Sequence, residues 1–452
     1  MWHHRDRDRA SDARFAEYLD DLNRNRMDRR TMFRRGAMIG LSAAAIAGLD
    51  RSFQPRASAQ GKTQIRLGVW AGVDEANELA EVIAPINAAA TDFEILSEPK
   101  PADYYVQLQT TIAGGTAPDL FWLSQEYVPN YASNGAILDI TERLASDSSG
   151  IGAANVDDYL PAPFRSVQYE DKTWGLPWLA SPVMLYYNPA LFEAAGLPLP
   201  DDTMTWETFR EAARALTLPD QQQYGIAFGE WPPIQMFIWQ AGGEVITEDL
   251  SECPIDSAEA IQGAQFKADL TWNPEYGMTE AQQAEQSAGD LMKAGRIGMF
   301  LGGATDDFDY AQQKDPAAAL IRVARVPQGP AGRQTLAYTA STVINGASAN
   351  PDAAYNALVA LTEGIHHWKI VAPRQSLANV ETVSASVPGK AESAATIVAA
   401  ATEDMRPFNV IPQQSDWDQS FFDYYVDPLY RKEGTAEELA PDARAELESW
   451  LP

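Results

Sequence analysis

A single cysteine, Cys253, stands in 452 residues, so no intrachain disulfide can form and a zinc site built from several thiolates is excluded. Histidine is nearly as scarce. Its four copies come as two adjacent pairs, His3-His4 and His366-His367, a spacing that suits no metal-ligand motif. Neither a metal nor a cofactor is expected. Basic residues are outnumbered, 34 Lys and Arg against 63 Asp and Glu. The formal charge of −29 argues against nucleic acid as a partner and against docking on an anionic bilayer through a basic face. Catalytic signatures are missing too: there is no G-x-S-x-G, H-E-x-x-H or P-loop, and no G-x-G-x-x-G follows a strand. Sixty-three acidic residues nevertheless guarantee carboxylate pairs, which keeps a glycoside hydrolase as a rival reading. Repeats and heptads are absent.

What is present is an ordinary globular composition, 45% hydrophobic and 21% charged, on a chain too long for one core. Two domains are expected after a leader. Residues 1–59 read as that leader. Arg29-Arg30-Thr31-Met32-Phe33-Arg34 fits the twin-arginine export pattern, and Gly36 to Leu49 forms a weakly apolar stretch too short to span a bilayer permanently. Ala57-Ser58-Ala59 before Gln60 is a small-residue cleavage pattern, with Arg51 and Arg56 discouraging the general export route. No cysteine stands there, which excludes a bacterial lipoprotein anchor. Translation starting at Met27 instead of Met1 would remove the Arg/Asp-rich extension, which carries a short amphipathic pattern at Phe15, Tyr18, Leu19 and Leu22. The leader holds 12 arginines and 8 acidic residues, so its removal takes the formal charge from −29 to −33. A periplasmic, acidic mature protein without membrane insertion is predicted.

Along the mature chain, strands alternate with helices. Gln64 to Trp70 alternates as a strand, and Leu79, Val82, Ile83 and Ile86 carry helical spacing after it. Phe93 to Leu96 is a second strand. A helix follows from Tyr104 through Leu108 and Ile112 to the stop at Gly114-Gly115. Pro118-Asp119 then turns into the apolar run Leu120 to Leu123. Further strands are predicted at Gly225 to Phe228, Ile321 to Pro327 and Tyr338 to Ile344. This spacing indicates α/β architecture with a mostly parallel sheet. Pro182 to Asn188 reads as a fully buried strand feeding a helix capped by Asn188, with Pro189 at its first position and Gly196 closing it.

Around that strand the order Tyr169-Glu170-Asp171-Lys172, Gly175-Leu176-Pro177, Tyr187-Asn188, then Leu191-Phe192-Glu193 and Gly196 resembles the family 1 extracellular solute-binding proteins of ABC importers, the group of maltose-binding protein. Gly114-Gly115-Thr116-Ala117-Pro118-Asp119-Leu120-Phe121, Gly135 to Ile140, Thr205-Trp206-Glu207-Thr208-Phe209, Phe237 to Glu244 and Leu291 to Met299 are similar to further motifs of that family. Gly298 stands where the family usually has Ala, and Thr208 lacks the Glu of a full capping box. The resemblance implies a two-lobed, type II periplasmic-binding-protein fold, with three inter-lobe crossings and ligand held in the cleft. Lobe 1 is expected at 60–181 plus 327–376, and lobe 2 at 182–326 plus 377–452. It further implies a monomer that captures a sugar or oligosaccharide and delivers it to an ABC permease.

Ligands of open α/β sheets sit beyond the carboxyl ends of the strands, which selects Trp70 to Asp74 and Ser124-Gln125-Glu126. Four tryptophans, Trp70, Trp178, Trp231 and Trp417, lie at turns or strand ends, where indole faces can stack on sugar C–H faces. Trp122, Trp206, Trp239 and Trp368 fall inside strand or helix patterns and read as core. Asp74, Ser124, Gln125, Glu126, Thr305, Ser341, Thr342 and Arg374 are the candidate hydrogen-bonding residues. Asp74 and Glu126 rank first, because carboxylates accept paired bonds from vicinal hydroxyls. Asp306-Asp307-Phe308-Asp309 lacks the Gly and terminal Glu of a calcium loop and reads as a solvated helix start. A non-sugar solute such as a polyamine, drawn by the acidic charge, is the second rival ligand.

Overall fold

A computed structural model describes residues 61–368 and 371–452, together with Arg35. The export signal, its cleavage pattern and Met27 lie outside the described residues. Its strands are β1 (Thr63–Val69), β2 (Phe93–Pro99), β3 (Leu120–Ser124), β4 (Gln168–Tyr169), β5 (Lys172–Thr173), β6 (Gly175–Tyr187), β7 (Met299–Gly303), β8 (Arg322–Ala324), β9 (Thr335–Ile344) and β10 (Met405–Arg406). The chain divides into two compact units. The first runs to Tyr159 and adds Val167–Trp178 and Ala340–Trp368; the second comprises Leu160–Ser166, Leu179–Thr339 and Lys369–Pro452. The chain thus passes from one unit to the other inside β6, inside β9 and after Trp368, with Leu160–Ser166 as a short excursion. The passages expected at 181/182, 326/327 and 376/377 differ from these, because a strand that continues through both units leaves no break in composition to read.

In the first unit β1 pairs in parallel with β2 on one side and β3 on the other. The later half of β9 closes antiparallel on β3, from Leu120↔Ile344 to Ser124↔Ala340. Buried Leu79 and Ile83 seat the Val73–Ala89 helix that follows β1. The Tyr104–Ala113 helix is fastened by one buried phenol: the Tyr104 hydroxyl reaches the Gly68 carbonyl at 3.1 Å and the Trp122 carbonyl at 2.8 Å. Gly115 ends that helix at φ 66°, a conformation that favours glycine. Asp119 then explains its place in the Pro-Asp turn. Its carboxylate accepts from the Arg66 amide at 3.1 Å and the Ser348 hydroxyl at 2.7 Å, and its carbonyl accepts from the Asn345 amide at 2.8 Å. One residue therefore ties β1, β3 and the end of β9 together.

In the second unit the later half of β6 runs antiparallel to β7, from Val183↔Gly303 to Tyr187↔Met299, and to β8 over Leu185 to Tyr187. β10 joins the start of β9 in parallel. All thirteen residues of β6 are buried, as its unbroken apolar run requires. Asn188 caps the next helix, accepting from the Ala190 amide at 3.0 Å. The Trp206–Leu216 helix has a complete capping box after all: the Thr208 hydroxyl accepts from the Thr205 amide at 3.0 Å, where a Glu carboxylate usually does so. Gly225 to Phe228 does not form the expected strand. It lies between the segment at Tyr276 and the start of β7, with the Ile226 amide bonded to the Tyr276 carbonyl at 3.0 Å and the Met299 amide to the Gly225 carbonyl at 2.8 Å. Two hydrophobic cores of this unit lie among the described residues. One holds Phe209, Phe228, Phe237, Trp239 and Met299, the other Trp417, Phe421, Tyr425, Leu429 and Leu447.

Candidate functional site

The carboxyl ends of β1 and β3 carry a tryptophan cluster in the first unit. Trp70 follows β1 directly, Trp122 lies within β3, Trp178 is the last first-unit residue of β6, and Trp368 follows the Pro351–Ile365 helix. Ring centroids of Trp122 and Trp178 are 4.6 Å apart; those of Trp70 and Trp122 are 5.1 Å apart, and those of Trp70 and Trp178 6.3 Å. Trp368 stacks on Trp178 at 6.2 Å with planes 19° apart, and its indole nitrogen donates to Glu78 at 3.0 Å. Trp70 also meets the edge of Tyr104 at 5.5 Å. Burial pushes that phenol well above its ordinary range, so Tyr104 remains a neutral donor. Trp122 and Trp178 are buried, whereas Trp70 and Trp368 are half-buried and bring indole surface to solvent.

Polar atoms accompany these rings. The register places Thr342 opposite Trp122 and Ser341 opposite Leu123. Ser341 donates to the Leu123 carbonyl at 3.0 Å. Ser124 closes β3 and shares a 2.8 Å bond with the Tyr105 hydroxyl, which is itself stacked on Tyr127 at 3.9 Å. Four buried atoms, Trp122 Nε1, Trp178 Nε1, Gln125 Oε1 and Thr342 Oγ1, have no hydrogen-bond partner among the described residues. Such atoms also occur in the second unit, Thr339 Oγ1 and Tyr425 Oη among them. Glu126 is half-buried just beyond β3, and Asp74 is exposed in the first turn of the Val73–Ala89 helix.

The remaining candidates belong to the second unit. Trp231 is half-buried and its indole nitrogen donates to the Leu301 carbonyl at 2.6 Å, which lays the ring along the end of β7. There Gly302-Gly303-Ala304-Thr305 turns away, with the Gly303 amide bonded to Asp306 at 3.0 Å and the Tyr186 hydroxyl to the Gly303 carbonyl at 2.8 Å. Thr305 is half-buried on this turn, and Arg374 is buried elsewhere in the unit. Trp417 is placed differently from the expectation. It has no exposed surface and stacks on Phe421 at 4.9 Å inside the second core, so it is out of reach of a ligand. Trp122 and Trp368, by contrast, join the cluster although strand and helix patterns suggested plain core. Among the described residues no group of three or more His, Cys, Asp or Glu is placed to hold a metal, and no helix is long and apolar enough to cross a membrane.

Known proteins resemble this chain over most of its length. Residues 74–363 match the family described as bacterial extracellular solute-binding protein. A binding protein of Brucella abortus is 24% identical over 334 residues, 72% of this chain and 75% of its own length. Among solved structures, an ABC substrate-binding protein of Listeria monocytogenes in complex with cycloalternan superimposes with a TM-score of 0.72 at 20% identity, covering 86% of this chain and 98% of that one. A solute-binding protein of Thermotoga lettingae bound with α-D-tagatose gives 0.70 at 21% identity over 86% and 100%. The fold is accordingly the type II periplasmic-binding-protein fold of the maltose-binding kind. With the family match spanning well over half of its residues, the chain belongs to the bacterial extracellular solute-binding proteins.

Proposed function

We propose that this protein captures a sugar or oligosaccharide and hands it, chemically unchanged, to the permease of an ABC importer. The observation that carries the reading is the four-tryptophan cluster, two of whose residues are half-buried. Indole faces suit the C–H faces of a sugar ring, and the half-buried Trp70 and Trp368 are the members of the cluster that keep exposed surface. Structurally similar proteins that carry cycloalternan and tagatose add support for the ligand class but not for its size, since a cyclic oligosaccharide and a single ketose differ severalfold. The ligand contacts of this reading are Trp70, Asp74, Ser124, Gln125, Glu126, Trp178 and Ser341 in the first unit, and Trp231, Thr305 and Arg374 in the second. Trp417 is left out because it is fully buried. No catalytic role is assigned to any carboxylate.

Export by the twin-arginine route, cleavage after Ala59, a periplasmic location and a monomeric state complete the proposal. They rest on the leader pattern and the family. A thermal-shift panel of tagatose, maltose, maltotetraose, mannitol, erythritol and spermidine tests the ligand class, because ligand at a hundred times its dissociation constant adds about 2.7 kcal/mol of stability. A sugar or polyol is expected to shift the melting temperature and to be recovered intact. Shifts by spermidine alone, or release of reducing ends from maltotetraose, would sink the reading. Replacing the twin arginines with lysines is expected to keep the precursor in the cytoplasm, read by fractionation.

A further inference from the structure

Lys267 lies on the Ala258–Leu270 helix and has no exposed surface. Its helix presents Ala260, Gly263, Ala264 and Ala268 to the protein interior, and Gly263 touches the Phe237–Ile238 backbone so closely that a Cβ there would come within 2.5 Å. At that separation the lysine stem has no lateral route to water, the usual escape for a buried ammonium. Its Nζ donates to the Gly229 carbonyl at 2.8 Å and sits 4.3 Å from the Phe228 ring centroid, with Tyr430 at 5.4 Å and Phe237 at 5.9 Å. No carboxylate pairs with it among the described residues. Burial drives its pKa well below the ordinary lysine range, with Lys432 adding to the effect. A group this costly to bury needs a reason beyond packing.

The reason is adjacent in sequence. Gly229 opens the loop that carries Trp231, and its amide donates to the Trp231 carbonyl at 3.2 Å. Phe228 is held by Gln283 at 3.0 Å and by the Trp272 amide at 3.2 Å. The indole end of Trp231 is held at Leu301. Lys267 supplies a further bond, on the Gly229 carbonyl, from inside the core. Without it, a buried carbonyl would have to turn to find another donor, and the loop would turn with it.

We propose that Lys267 is the positioning residue of the Trp231 loop, fixing the plane of that indole for the ligand. The ligand-binding part rests on the function proposed above; the positioning part does not. Fluorine NMR of 5-fluorotryptophan protein, with the Trp231 resonance assigned from Trp231→Phe, tests it without any ligand. Lys267→Met removes the donor and keeps the volume; Lys267→Gln keeps an N–H donor; Lys267→Leu serves if the Met variant does not fold. The donor-free variant is expected to move the Trp231 resonance, and Lys267→Gln to bring it back toward the wild-type position. With the sugar that gives the largest shift in the panel above, affinity of the donor-free variant is expected to fall at least tenfold, and Lys267→Gln to recover most of it. A folded, donor-free variant with an unmoved Trp231 resonance overturns the proposal. A moved resonance with unchanged affinity, together with an inert Trp231→Phe, upholds the positioning and removes Trp231 from the ligand site instead.

Discussion

Trp417→Ala separates a binding tryptophan from a core tryptophan more sharply than any other substitution in this chain. The ring is fully enclosed, stacked on Phe421 at 4.9 Å in the core that also holds Cys253, Tyr425, Tyr430 and Leu447. About 200 Å² of buried indole at about 25 cal/mol per Å² is worth about 5 kcal/mol. Partial collapse of the cavity brings the expected loss to about 3–5 kcal/mol, the range for aromatic-to-alanine changes in cores. Urea or guanidinium unfolding measures it. The lone cysteine supplies a second reading, because burial keeps Cys253 inaccessible and pushes its thiol up to about 11. In the wild type a thiol reagent is expected to label it only on unfolding; in Trp417→Ala labelling of the native protein is expected to accelerate with the loss of stability. Ligand affinity should stay at the wild-type value. A variant that unfolds at the wild-type denaturant concentration yet binds sugar poorly would refute this placement and return Trp417 to the ligand site.

Other consequences follow from the same geometry. Trp70→Ala leaves the fold largely intact, because the ring is half-buried, and is expected to cost about 2 kcal/mol or more of ligand affinity by titration calorimetry if it is a stacking anchor. Asp119→Ala strips acceptors from the Arg66 amide and the Ser348 hydroxyl, and should lower stability by about 2 kcal/mol in chemical denaturation. Thr205→Ala removes a helix cap and should cost about 1 kcal/mol. Lys267 gives a pH test with a defined sign. Its folded pKa lies below 10.5, so between the two values the unfolded chain binds a proton that the native chain does not, and this contribution to stability rises with pH. Lys267→Met should therefore compare best with the wild type at pH 7 and lose ground toward pH 10, read from urea midpoints.

How much of this was legible beforehand depends on whether the information was local. β1, the helix after it, the Tyr104 helix and β3 follow from period and punctuation, and the structure places each within a few residues of its expected bounds. Half of the tryptophan cluster was legible because Trp70 and Trp178 stand at a strand end and in a proline-bounded segment. The other half was not. Trp122 sits in an apolar strand between β1, which brings Trp70 to it, and β9, which comes more than two hundred residues later and sets Thr342 opposite it. Trp417 is the opposite case, since its local signal was present. Trp417, Phe421 and Tyr425 repeat every four residues, the spacing of one buried helical face, and all three are buried in the same core. Placing Trp417 at a turn or strand end overlooks that period. Lys267 shows the remaining kind of gap. In the run Ala264-Gln265-Phe266-Lys267-Ala268 it has the composition of a solvated helix position, yet Gly263 draws the helix against the Ile234–Ala241 helix and closes the way to water. A glycine three or four residues before a lysine, on the small-residue face of a helix, is therefore a sign that the lysine points inward, and that is the signal by which such a residue can be found in a sequence.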